Sequence, residues 1–183
     1  MKNYSLFLVL FITFFSCKNE EKKPVVEDVQ TSTKSKFYKE VIVKNSGHFS
    51  GLILGEEFQK ASKIIDENFK AEEDENEFIL YKLDKTYTNS SYELYFKNNK
   101  LNEILFDTYV YDEKGMFDKN GSLVLFKEIK EDFLKRFGNK YMETSNTENE
   151  ILFWSDENKD IQLIHEIGKA GVHVYIESVE ITE

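Results

Sequence analysis

The chain has 183 residues with 24 basic and 34 acidic side chains, a formal net charge of −10 at pH 7. A molecule this acidic is repelled by phosphate backbones and anionic head groups, which argues against nucleic acid as a partner. Sixteen Phe and ten Tyr supply material for one core, and a single Cys excludes an internal disulfide.

Lys2 is followed by an apolar run from Leu6 to Phe15, then Ser16, Cys17 and the charged segment Lys18-Asn19-Glu20-Glu21-Lys22-Lys23. A basic start, a short apolar stretch and a small residue before the cut are the parts of a secretory signal. The run is shorter than the about 20 apolar residues that a spanning helix needs. Phe14-Phe15-Ser16-Cys17 resembles a lipobox, the signal-peptidase II site of bacterial lipoproteins, with Phe14 where Leu is usual and Phe15 where a small residue is usual. Aromatic-rich versions resemble those of Bacteroidetes lipoproteins, and the Lys, Asn, Phe and Tyr usage fits such a source.

That resemblance implies a signal peptide over residues 1–16 and a mature chain starting at Cys17, its thiol and amine carrying palmitate-type acyl chains. Acyl burial contributes about 0.8 kcal/mol per methylene, so two or three chains hold a protein at a membrane. The expected location is the cell envelope, lipid-anchored at the outer membrane on its periplasmic or outer side. Lys18-Asn19-Glu20-Glu21 also loosely resembles the lysine–acidic signal for surface export, from which Asn19 departs. Losing Lys2 with the leader takes the formal charge from −10 to −11. Residues 17–36, with the only proline at Pro24 and few large apolar side chains, read as a flexible linker. Its root-mean-square reach would be roughly 25 Å.

The remainder, 37–183, reads as one α+β domain in which a single pattern runs twice, over about 51–111 and 121–181. In the first pass Gly51-Leu52-Ile53-Leu54-Gly55 leads into a helix over Glu56–Phe69, with Phe58, Ala61, Ile64, Ile65 and Phe69 on one side. Strands are expected at Glu77–Leu83, Ser91–Lys97 and Leu101–Tyr111, with a tight turn at Asn98-Asn99. The second pass opens at Gly121 and gives a helix over Leu123–Phe137, its stripe made of Ile129, Phe133, Leu134 and Phe137, ended by Gly138. Glu128, Glu131 and Asp132 ahead of Lys135 and Arg136 match the helix dipole. Strands follow at Glu150–Ser155, Asp160–Ile167 and Val172–Ile181, the last two joined by Gly168-Lys169-Ala170-Gly171. The expectation is thus a helix and a three-stranded antiparallel meander, twice, with the helices covering one face of the sheet.

That order is similar to the small outer-membrane lipoproteins of the SmpA type, duplicated as in the β-lactamase inhibitory proteins. The residues carrying the likeness are Gly51-Leu52-Ile53-Leu54-Gly55, Phe137-Gly138-Asn139-Lys140-Tyr141, Phe153-Trp154 and Ile161-Gln162-Leu163. It spans about 130 residues, and its motifs are of low specificity.

Chemistry-bearing motifs are sparse. His165 and His173 fall on one expected hairpin, where they could approach each other with Glu166 and Glu177 nearby, but four-ligand zinc spacing is lacking and they read as structural. Asp112-Glu113-Lys114-Gly115 and Asp118-Lys119-Asn120-Gly121-Ser122 cluster oxygens without a complete calcium loop; they read as a polar turn in which Gly115 and Gly121 supply special backbone angles. Glu72-Glu73-Asp74-Glu75, with Glu148 and Glu150, reads as solvated loop charge rather than as paired acid–base carboxylates. No phosphate loop, nucleophile elbow or Cys–His pair occurs. The expectation is therefore a non-enzymatic protein with no cofactor and no metal.

What remains is a supply of aromatics on strands: Tyr81, Tyr87, Tyr92, Tyr95, Tyr109, Tyr111, Trp154 and Tyr175. Tyr92, Leu94 and Phe96 alternate with Glu93, Tyr95 and Lys97, so one sheet face should be core and the other should show Tyr amid charges. Either those rings contact a partner or they cap the sheet edges. The leading expectation is a protein-binding module of the envelope; a small-ligand carrier or sensor with a pocket between helix and sheet, and an envelope hydrolase, are the alternatives.

Overall fold

A computed structural model describes residues 33–66, 69–75 and 77–179. The architecture is α+β, built on one antiparallel sheet. Two short helices come first, α1 (Lys36–Val41) and α2 (Phe58–Asp66), then four strands, β1 (Lys70–Glu75), β2 (Phe78–Asp84), β3 (Thr88–Lys97) and β4 (Lys100–Val110). The long helix α3 (Lys119–Phe137) follows, and then β5 (Met142–Ser145), β6 (Asn149–Ser155), β7 (Lys159–Glu166) and β8 (Gly171–Ser178). The sheet order is β1-β2-β3-β4-β8-β7-β6-β5, so the last strand of each run meets at the centre and the first forms an outer edge.

Each run therefore contains four strands, where three were expected. The extra strands are the two edges, β1 and β5, and their composition hides them: Lys-Ala-Glu-Glu-Asp-Glu and Met-Glu-Thr-Ser carry no apolar alternation. Charged edge strands discourage pairing with other chains. The acidic run Glu72-Glu73-Asp74-Glu75 is accordingly strand and not loop.

Phe49 forms the hub of the core. Its ring lies 5.1 Å from that of Phe106 on β4, 6.0 Å from Tyr92 on β3 and 6.0 Å from Phe133 on α3. Alternate positions of the strands supply the rest, including Leu94, Ile104, Leu163, Val174 and Ile176, and Ile129 and Leu125 of α3 pack among them. Burial of such side chains is worth roughly 1.5–3 kcal/mol each.

Helix boundaries follow local bonding. The spacing predicts the first long helix at Glu56–Phe69, but it starts at Phe58 because residues 55–58 extend the β3–β4 hairpin: Gly55 N–H bonds Leu101 O at 2.7 Å and Leu101 N–H bonds Glu56 O at 2.8 Å. The second starts four residues before Leu123, because Asp118 accepts from Gly121 N–H at 2.8 Å and caps it. Gly121 is thus helical, in contrast to its expected turn role. What it supplies is space, since a Cβ there would lie 2.7 Å from the Phe37 ring. Gly115 does take a positive φ of 74°, Gly138 ends α3 at φ 80°, and Asn98 and Asn99 turn the β3–β4 hairpin at φ 52° and 63°.

Helix α1 was not anticipated. Ser35 caps it by accepting from Tyr38 N–H, and both the Ser35 N–H and hydroxyl donate to the Glu128 carboxylate of α3, at 2.6 and 2.5 Å. Lys34 bonds Asp132 at 3.0 Å and the carbonyl of Glu128 at 3.1 Å. Residues 34–36, read as linker, are clasped to α3.

Candidate functional site

Strand register decides which side chains share a surface. Tyr92, Leu94 and Phe96 are buried while Glu93 and Tyr95 are half-exposed, and β4, β7 and β8 alternate in the same way. Directly paired positions lie on the same face. One row across that second, open face is Phe78, Tyr95, Glu103, Glu177 and Asp160; the next is Leu80, Glu93, Leu105, Tyr175, Gln162 and Phe153. A third carries Ser91, Asp107, His173, Ile164 and Ile151. A shallow depression of about 560 Å³ lies over the centre, lined by Leu105, Ile164, His173 and Tyr175 among others.

Acidic groups crowd one side of this depression. Burial and then the neighbouring Glu177 carboxylate push the Glu103 carboxyl above its usual range, and Glu93 adds to the effect. The Tyr175 phenol donates to Glu177 at 2.5 Å and its own ionisation is pushed well up, first by burial and then by that bond. Tyr95 donates to Glu93 at 3.0 Å. On the other side His173 Nδ1 sits 2.5 Å from Asp107, its Nε2 3.5 Å from Glu166, and its ring meets that of Tyr109 edge-on at 5.8 Å. Glu166 is held below the usual carboxylate range by its bond to Lys169, 2.9 Å away.

The two histidines of this hairpin do not approach each other. His165 pairs with Val172 and His173 with Ile164, so successive positions send them to opposite faces. His165 is 3 % exposed, stacks on Phe126 and contacts Ser122 Oγ through Nε2 at 3.0 Å. Because the Ser122 hydroxyl donates to Lys119 O, Nε2–H is the donor to Ser122, and the orphan Nδ1 is left as a lone pair rather than as an unpaired N–H. Burial pushes the His165 pKa down. Glu177 lies beside Glu103 rather than His173. Among the described residues no group of three or more His, Cys, Asp or Glu is placed to hold a metal.

Other anticipated oxygens serve the backbone. Asp112 accepts from the N–H groups of Lys114 and Met116, at 2.8 and 2.9 Å, which hold its carboxyl low. Glu150 on β6 sits 3.6 Å from Lys130 of α3. Of the strand aromatics, Tyr81, Tyr92 and Trp154 belong to the core, whereas Tyr95, Tyr109 and Tyr175 occupy the open face. Phe117, 51 % exposed, stacks on Tyr111 at 5.4 Å and extends the aromatic surface from Tyr109. Sequence reasoning missed Phe117, whose place in a Gly-containing turn gives no periodic signal.

Cys17, the leader and most of the linker lie outside the described residues. No described helix is long and apolar enough to cross a membrane. No protein-family model matches the sequence, and no curated protein or solved structure is significantly similar to it.

Proposed function

We propose that the protein is a lipid-anchored, non-enzymatic binding module that holds another envelope protein on its open sheet face. The observation that carries this reading is the face itself. Tyr95, Tyr109 and Tyr175 stand with Leu105 and Ile164 on central strands, half-exposed, and tyrosine offers large contact area with little side-chain freedom to lose. Against a carrier with a pocket between helix and sheet stands the packing there: Phe49, Ile129 and Phe133 fill the layer beneath α1 and α3.

The anchor rests on the lipobox-like Phe14-Phe15-Ser16-Cys17, with acyl chains on Cys17 placing the module at the outer membrane. The finer architectural reading is that the two helix-and-meander runs are copies of one unit, as the SmpA-type resemblance implies. The matching order of α2 with β1–β4 and α3 with β5–β8 supports it, as does the meeting of β4 and β8 at the centre.

The test is a pulldown from solubilised envelopes with tagged full-length chain, beside a Leu105→Asp, Ile164→Asp variant. A stoichiometric protein bound by the wild type and lost by the variant is expected; a co-purified small molecule with no protein overturns the reading. Labelling with radioactive palmitate should mark the wild type and leave Cys17→Ser unlabelled.

A further inference from the structure

The open face carries a pattern of charge that narrows the class of partner. Glu103 on β4 stands directly opposite Glu177 on β8, with Tyr95 on its other flank and Glu93 one row away on β3. Side chains directly paired across strands have Cβ atoms about 4.5–5.5 Å apart, and like charges there repel. Among the described residues, the two charges that bear on Glu103, those of Glu177 and Glu93, are both negative. The phenols of Tyr95 and Tyr175 occupy one carboxylate oxygen each, while an ionised carboxylate accepts at about four positions. Like-charged acids, partly withdrawn from water and flanked by two ring faces, form a surface that a cation would complete.

We propose that the open face binds a basic segment of a partner protein, with an arginine guanidinium seated over Glu103 and Glu177 between the rings of Tyr95 and Tyr175. This rests on the protein-binding reading and names the chemistry of its partner. A guanidinium suits the place because its planar fork reaches two carboxylates together and its face stacks on aromatic rings. Next to it the depression over Leu105 and Ile164 receives an apolar side chain two positions along from the arginine, on the same face of an extended segment. Charge complementarity disfavours the other occupants. A second copy would press acidic cluster on acidic surface, and anionic head groups are repelled by a chain of net charge −10.

The test is calorimetric titration of the full-length chain in detergent with two capped nonapeptides in which every second position is Thr and the positions between them carry Val and Arg in turn in one peptide, Val and Gln in turn in the other. The arginine peptide should bind at least tenfold more tightly than the glutamine peptide. That preference should vanish in the Glu103→Gln, Glu177→Gln double variant, which removes a repulsion and keeps the wild-type circular dichroism. Undiminished binding of the arginine peptide by the double variant overturns the proposal, as does binding of neither peptide. Equal binding of both peptides, abolished by Leu105→Asp with Ile164→Asp, overturns the cation assignment and leaves the protein-binding reading standing. A wild-type dimer dissociated by those same two substitutions assigns the face to self-association and overturns the proposal as well.

Discussion

The phenolic O–H of Tyr38 donates to Asp132 at 2.5 Å, in a site where Asp132 is only 4 % exposed. The bond ties α1 to the middle of α3, and Lys34 at 3.0 Å brings a cation to the other oxygen of the same carboxylate. Tyr38→Phe leaves a buried acceptor short of one donor while the ring stays in place. The expected cost is about 1–3 kcal/mol in urea unfolding. A double-mutant cycle with Asp132→Asn should show a coupling energy; strict additivity would mean that the two side chains act independently.

Acid should weaken the fold through His165. Its pKa is lowered by burial from the ordinary 6.5, so between those two values the unfolded chain binds a proton that the folded chain does not. Stability present above about pH 6.5 is then lost as pH falls below it, until the folded-state pKa is reached. His48, lowered mainly by burial as well, adds to the slope. Denaturation midpoints from pH 8 to pH 5 should fall less steeply in His165→Leu than in the wild type; parallel curves would show that His165 titrates freely.

Gly121→Ala ought to lower stability, although alanine in a helix usually gains about 0.5–1 kcal/mol over glycine. The new methyl would meet the Phe37 ring and the Asp118 carboxylate, both within 2.7 Å. Overpacking of this kind costs typically about 1–3 kcal/mol. Thermal unfolding of Gly121→Ala and of Gly121→Ala with Phe37→Leu checks the cause, because the smaller side chain should recover part of the loss.

Asn99 holds φ at 63° in the two-residue turn between β3 and β4. Asn99→Gly removes a left-handed strain that asparagine tolerates and should leave the melting temperature unchanged or slightly raised. Asn99→Val should lower stability by about 1–2 kcal/mol, since a β-branched residue resists that conformation. Equal melting curves for the two variants would show that the left-handed angle at position 99 carries no cost for a β-branched residue.

The helix and strand periods were legible wherever one face met the core. Phe58, Ala61 and Ile65 marked α2, Ile129 and Phe133 marked α3, and the alternation through Tyr92, Leu94 and Phe96 separated core from open face. The edges β1 and β5 were not legible, because their backbone pairing is specified by neighbours distant in sequence and leaves no pattern of its own. In sequence Asp132 matches the helix dipole like any surface charge, yet it is a buried anchor; nothing local distinguishes the two, because its partners Lys34 and Tyr38 lie more than ninety residues away. Hairpin composition allows His165 and His173 to face each other, but the register offsets them by one residue, which in a strand is the whole difference between inside and outside.

The clasp of Ser35 and Lys34 on α3 determines where mechanical load enters the molecule. Tension arriving along the preceding chain meets the two Ser35–Glu128 bonds and the Lys34–Asp132 ion pair before it reaches any strand. Peeling them one after another would yield at low force, with α1 serving as a fuse. The strands would keep their pairing while that clasp parts.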